Sequence, residues 1–321
     1  MTSTAQKSPL CSIVIRSYNE EAIIGQLLTG IMQQTEKDFE IILVDSGSTD
    51  RTVEIAAEYP VKIVNIRPED FSFGRSLNLG ISHTSGKYVV IASAHVYPTY
   101  PDWLERLIAP FNDPKVGLTY GKQCGAQSTH FSEHQVFAQW YPNTSQLRQA
   151  HPFCNNANSA IRRELWEEHA YDETLSGLED LDWAKWVMEN NYSIPYIAEA
   201  EICHVHNETP SKVFNRYKRE AIAFKRIFPE ERFNLWDFIR LFTGNTARDL
   251  WQAIRQRELL PNLGSIFWFR WNQFRGTYQG FRRSGPLTWQ LRQTFYYPLS
   301  LDNATNSPTR SIDPIQYDPA E

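Results

Sequence analysis

The 321-residue sequence is poor in methionine, with three, and in cysteine, with four. Cys11, Cys124, Cys154 and Cys203 stand far apart and make no CxxC spacing. They predict neither a zinc knuckle nor a disulfide framework, but buried thiols in a reducing, cytoplasmic setting. Long apolar runs are also missing, since no stretch reaches the roughly 18 residues that would span a bilayer. Residues 1–10 lack the apolar centre of a signal peptide and are expected to be flexible. A basic excess is absent too. The formal net charge is −5, which argues against a nucleic-acid partner. Hydrophobic residues at 41% and charged residues at 21% exclude a disordered or fibrous chain. The length suits one large domain or two modest ones.

Strand-like and helix-like segments alternate through the first 120 residues. Cys11 to Arg16, Phe39 to Val44, Val61 to Ile66, Tyr88 to Ala92 and Val116 to Tyr120 read as short apolar strands. Helical patterns fill the gaps: one runs to about Gln34, one to Ala57, one spans Ser76 to Thr84, and one opens at Pro101. Apolar strands without a polar face predict an α/β fold whose mostly parallel sheet is covered by helices on both sides. Ligands in such folds bind beyond the carboxyl ends of the strands. Ser17 to Glu20, Asp45 to Asp50, and Ser93-Ala94-His95 fall at those ends.

Asp45-Ser-Gly-Ser-Thr-Asp50 follows a strand and precedes a helix. A carboxylate there accepts from a ribose hydroxyl or a base N–H, or Asp50 simply caps the helix. The segment matches neither the dinucleotide nor the P-loop fingerprint. Arg75 sits at a loop-to-helix junction, where a guanidinium suits a phosphate or an acidic loop. Glu179, Asp180 and Asp182 crowd beside Trp183 and Trp186. Crowded carboxylates raise one another's pKa, which suits a general base; an acidic first helical turn is the plainer alternative. His204 and His206 would share one face if they lie on a strand, and with His95 could ligate a divalent ion.

Four segments in order, Ile13-Val-Ile-Arg-Ser-Tyr-Asn-Glu20, Ile42-Leu-Val-Asp-Ser-Gly-Ser-Thr-Asp50, Gly86-Lys-Tyr-Val-Val and Leu178-Glu-Asp-Leu-Asp-Trp183, resemble the family 2 glycosyltransferases of the GT-A fold. The resemblance covers about residues 11–230, with a nucleotide-binding half over 11–120 and an acceptor-side half over 121–230. It implies a nucleotide-sugar donor, a saccharide, glycolipid or small hydroxyl acceptor, and an inverting displacement. By the same resemblance Ser17, Asn19 and Glu20 line the nucleotide pocket, with Asp45 and Asp50 beside them. Arg75, Ser93 and His95 lie near the donor phosphates. Asp180 is the general base, with Glu179 alongside. Asn156, Asn158, Asp182 and Trp183 belong to the acceptor side. His204 or His206 completes a metal shell with His95.

The sequence departs from the family at one place. Ser93-Ala94-His95 stands where Asp-x-Asp is usual. Imidazole still binds borderline ions, and two imidazoles with diphosphate oxygens favour manganese over magnesium. A metal-free site is the other branch, and a degenerate domain serving as a scaffold is the competing function.

Beyond residue 230 a helical extension is expected to residue 300, then a flexible tail over 301–321. Residues 236–297 hold fifteen aromatic residues and nine arginines, no lysine and three acids. Such a stretch suits a cap on the domain, a homodimer surface or peripheral contact with an anionic membrane.

Overall fold

A computed structural model describes residues 8–206, 208–282, 310 and 312–317. The expected strands form: β1 (Cys11–Ser17), β2 (Phe39–Asp45), β3 (Val61–Asn65) and β4 (Tyr88–Ser93). After them come β5 (Val96–Pro98), β6 (Leu118–Gly125), β7 (Asn158–Arg162) and β8 (Tyr196–His204). They make one sheet in the order β3-β2-β1-β4-β7-β6-β8-β5.

The expected parallel arrangement holds from β3 to β4. Beyond β4 the sheet is mixed. β7 runs antiparallel to both β4 and β6, while β8 is parallel to β6 and β5 antiparallel to β8. Two reversals therefore return β8 to the direction of β4. The carboxyl ends of β1, β2, β4 and β8 share one rim with the amino end of β7. Ala92 faces Asn158 in register, which brings residues 155–158 to that rim.

Alternation along the strands gives each sheet face its own core. Ile13, Ile15 and Leu43 turn toward α1 (Ile24–Met32) and α4 (Trp103–Ile108). Val14, Ile42 and Val44 turn toward α3 (Phe73–Ser82) and α7 (Glu179–Glu189). The helix α3 comes very close to the sheet because residue 80 is glycine. A Cβ there would lie 2.5 Å from Val14 and 2.8 Å from Val44. Shorter helices α2 (Thr52–Ala56), α5 (Phe131–Trp140) and α6 (Arg163–Glu168) fill the remaining connections.

Three long helices follow: α8 (Pro210–Ile227), α9 (Leu235–Arg255) and α10 (Leu259–Phe281). Over its described residues, to 282, the extension is helical. Leu175 and Leu181 share a buried cluster with Phe224, Phe274 and Phe281, so apolar packing runs across residue 230. A buried ion pair ties the helices together: Arg270 Nε lies 2.7 Å from Asp249, and its Nη2 reaches the Ser132 carbonyl at the start of α5. Both side chains are almost wholly sequestered. Asp249→Ala would strand the guanidinium without its partner, and about 3–5 kcal/mol of stability should disappear. Urea unfolding measures this loss, and Asp249→Leu combined with Arg270→Met should recover most of it.

The chain's end is not wholly loose. Arg310 pairs with Asp102 and lies over the Tyr100 ring at 3.7 Å. Ile315 N donates to the Thr99 carbonyl at 3.0 Å, and Tyr317 meets Tyr97 edge-on. Ring contacts and an arginine–acid pair thus override the polar composition from which flexibility was read. The expectations for residues 1–7 and 283–309 lie outside the described residues. Leu10 already packs on the core, which shortens the expected flexible start.

Candidate active site

Glu179 and Asp180 open α7 immediately after Leu178, which holds a left-handed backbone at φ 57°. A branched side chain in that region is strained, which marks the turn as one the surroundings enforce. Glu179 is buried, 2.9 Å from the Arg16 guanidinium, and accepts from Asn156 Nδ2 at 3.2 Å. Arg16 stands at the end of β1, so the first strand supplies the acid's counter-ion. Asp180 accepts from Asn156 N at 3.1 Å and Leu181 N at 2.8 Å. Burial and the neighbouring Glu179 carboxylate push the Asp180 carboxyl up to about 7, against the pull of those two N–H groups and Arg16. An acid with that pKa is poised to take a proton near neutrality.

Three imidazoles gather at the end of β8. Ring centroids are 4.0 Å apart for His204 and His206, 4.9 Å for His95 and His204, and 5.7 Å for His95 and His206. Their ligand atoms lie within 4.8 Å of one another. His206 stands past the end of β8, but Val205 N still donates to the His95 carbonyl at 2.9 Å, so the pairing with residue 95 runs on between the two histidines. Each ring is held through Nδ1 by an oxygen from a different element. Glu20 takes His95 at 2.9 Å, Gln123 of β6 takes His204 at 2.6 Å, and Glu133 of α5 takes His206 at 2.7 Å. An ionised carboxylate has no proton to give, and Gln123 spends its amide N–H on Tyr141. The proton therefore sits on Nδ1 of His95 and His204 and leaves their Nε2 a bare lone pair, while at His206 the Arg216 guanidinium also reaches Nδ1, at 3.2 Å. The Nε2 of His204 is buried and has no hydrogen-bond partner. Burial first, and neighbouring imidazoles second, hold His204 well below the usual histidine range; burial also lowers His206. Imidazole nitrogens with a free lone pair are what a divalent ion requires.

Glu133, His206 and Glu208 make a second acidic group. Arg216 already lies 2.7 Å from both carboxylates. Burial alone would raise Glu133, but Arg216 and His206 outweigh it and bring it to about 2. The carboxylate is thus a fixed anion that orients His206.

Several other residues serve differently from expectation. Asn158 is fully buried, bonded to Trp103 Nε1 and the Lys122 and Ala200 carbonyls, and so braces strands. Trp183 is fully buried, its indole N–H given to the His169 carbonyl, so no acceptor stacks on it. Burial and the nearby Asp172 charge raise the Asp182 carboxyl above the usual range. Asp45 accepts from Gly47 N, Ser48 N and Ser17 Oγ, which commits a buried carboxylate to its own loop. Asn19 accepts from Thr49 N, and Asp50 accepts from Glu21 N and Thr52 N, stapling the loops after β1 and β2. Arg75 pairs with Glu173 at 2.8 Å, so the structure gives it the acidic-loop partner. Ser93 Oγ lies 3.3 Å from the His95 ring. Glu20 belongs with His95, whose orientation it sets.

The acid pair and the imidazole cluster are neighbours along one segment. Asn156 holds Glu179 and Asp180, while the next carbonyl, of Ala157, accepts from Ser93 N two residues before His95. Arg16, Gln123, Glu133 and Arg216 completed this site without being singled out in the sequence. Arg16 alone carried a signal, a cation at a strand's carboxyl end.

A carboxyl of raised pKa close to three imidazoles that could hold a cation, on one rim of an α/β sheet, suits a group-transfer enzyme with a charged leaving group. Residues 12–169 match the family model described as glycosyl transferase family 2, and the chain carries a family 2 glycosyltransferase domain. It is 28% identical over 219 residues to the O-antigen chain rhamnosyltransferase RfbN of Salmonella typhimurium, covering 64% of this chain and 69% of that one. To the O-antigen chain rhamnosyltransferase WbaN of Salmonella anatum it is 27% identical, covering 65% and 70%. The fold resembles the mannosyltransferase PcManGT of Pyrobaculum calidifontis, solved with GDP-Man and Mn2+. That match has a TM-score of 0.56 and 18% identity, and covers 86% and 85% of the two chains. S. aureus TarS 1-349 with UDP-GlcNAc gives a TM-score of 0.53 at 15% identity, covering 85% and 91%. The protein is a glycosyltransferase of the GT-A fold, and the scaffold alternative is not favoured.

Proposed function

We propose that this enzyme moves a sugar from a nucleotide-sugar donor to a saccharide or glycolipid hydroxyl during surface polysaccharide synthesis. The observation that carries this reading is the Asp180 carboxyl, lifted to about 7 beside Glu179 and joined through Asn156 and Ala157 to the imidazole cluster. In the transfer, Asp180 takes the acceptor hydroxyl proton as its oxygen attacks the anomeric carbon. The bond from that carbon to the donor phosphate breaks, and the configuration inverts. The negative charge of Glu179 keeps Asp180 basic, while Arg16, paired with Glu179, pulls the other way.

His95, His204 and His206 would hold a divalent ion, for which the orphaned His204 Nε2 is the supporting observation. When bound, that ion supplies positive charge for the departing diphosphate. Nitrogen ligands favour manganese over magnesium. A deoxyhexosyl donor is the first to try, because two relatives are named rhamnosyltransferases.

Calorimetric titration with UDP-, GDP-, dTDP- and CMP-sugars tests the assignment. Donor binding should require the ion, vanish in EDTA and return more strongly with Mn2+ than with Mg2+. Binding indifferent to EDTA would remove the ion and keep the transfer. No binding of any donor would revive the scaffold reading.

A further inference from the structure

We infer that the outer side of α9 is a twofold interface with a second copy of this chain, the two α9 helices packing antiparallel. The inner side is spoken for. Leu241, Asn245, Asp249 and Ala253 are buried within the chain, while Phe238 and Phe242 meet Trp271 and Phe267 of α10. The outer side faces water. Trp236 is 68% exposed, Trp251 54% and Ile254 57%, and Ile239, Thr243 and Ala247 are exposed between them. At about 3.6 residues per turn, these positions lie within roughly 60° of the direction opposite Asn245. No described helix is long and apolar enough to cross a membrane. Large apolar side chains gathered on one water-facing side of a helix mark an interaction surface.

The order of the side chains identifies the occupant. Outward from Asn245 the stripe reads alike in both directions: small Thr243 and Ala247, then Ile239 and Trp251, then Trp236 and Ile254. A twofold contact must be self-complementary, so that residue i meets j and j meets i. Antiparallel helices centred on Asn245 pair Thr243 with Ala247 of the copy, Ile239 with Trp251, and Trp236 with Ile254. The small pair lets the backbones approach, and each outer ring meets an aliphatic side chain. The Thr243 hydroxyl donates to the Ile239 carbonyl at 2.8 Å, so it brings no unpaired donor into the contact. Charge agrees with this direction. Exposed Arg232 precedes α9 and exposed Glu258 follows it, and neither has an ion-pair partner among the described residues. Antiparallel packing brings each Arg232 to the end that carries the copy's Glu258, whereas a parallel pair would set like charges together. Arg248 and Arg255 fall outside the stripe, at its rim. The stripe runs about 27 Å along the 21-residue helix. A contact of that length approaches the ~800 Å² per partner of a standard stable interface. The inference is independent of the sugar-transfer reading, since none of these side chains belongs to the candidate active site.

Light scattering of the full chain over a range of concentrations tests it. The wild type should approach twice the mass of one chain at micromolar concentration. Trp251→Ser should weaken the association about 30-fold, the loss expected of a central aromatic anchor. Ala247→Arg should weaken it at least as much, because the added cation and its copy would meet beside the axis. Adding Thr243→Glu to Ala247→Arg should restore the dimer to within about threefold of wild type, since position 243 faces position 247 of the copy. These positions are exposed in the single chain, so the far-ultraviolet circular dichroism of every variant should match wild type. A monomer at every concentration overturns the inference, whatever else covers the face. A dimer indifferent to Ala247→Arg, or a double variant no better than the single one, overturns it as well.

Discussion

Asp180→Asn should lower turnover about 10²- to 10⁴-fold while leaving donor affinity within twofold or so of wild type. The amide keeps the shape but only one of the two backbone contacts, because Asn156 N and Leu181 N donate to different carboxylate oxygens, and it cannot take a proton. Wild-type turnover should rise with pH through about 7, because the carboxyl must be ionised to act. The variant should lose that rising limb. A wild-type profile flat across this region, or full turnover by the variant, would remove Asp180 from the role of base. Stability should move the other way. The ordinary carboxyl value is 3.8, and the folded chain keeps the proton up to about 7. Between those values the unfolded chain binds fewer protons, so folding stability falls as pH rises. Asp180→Asn removes this decline and should melt higher than wild type above pH 7.

Gln123→Leu should weaken Mn2+ binding about 10- to 100-fold, the usual cost of losing a group that orients a metal-bound histidine. Gln123 lies on β6 and holds the proton of His204 on Nδ1. Without that oxygen the imidazole proton can move to Nε2 and close the lone pair that faces its neighbours. Gln123→Glu keeps an acceptor in place and should restore most of the affinity. Nitrogen-15 spectra of the metal-free protein read the tautomer directly, with the wild type protonated at Nδ1. A wild type protonated at Nε2 of His204 would end this account of the cluster.

Much of the fold and part of the site were legible in the sequence. The parallel strands β1, β2 and β4 announce themselves as apolar runs, because a strand buried on both faces has no polar side to break the pattern. The reversal at β7 was not legible. Asn158 to Arg162 is a short run whose direction depends on a partner strand, Tyr88 to Ser93, some seventy residues earlier. The acid pair could be seen because Glu179 and Asp180 are adjacent. The oxygens that orient the imidazoles could not, because Gln123 and Glu133 come near His204 and His206 only after the chain has passed through β6, α5 and β8. Asn158 and Trp183 misled for the same reason. A polar or aromatic residue next to a site in sequence is often a brace, and only packing tells which way it points.

The short contact of Ile315 and Tyr317 with the end of β5 bears on synthesis. β5 is the last strand of the sheet, and Ile315 and Tyr317 lie along its outer side through Thr99 and Pro98. A strand margin left bare is a template for association with other chains. A ribosome must add more than two hundred residues after Pro98 before the chain can cover its own margin. A nascent or truncated chain ending before Arg310 therefore carries an open strand edge, and yield on expression should drop with that truncation even though every candidate catalytic residue is present.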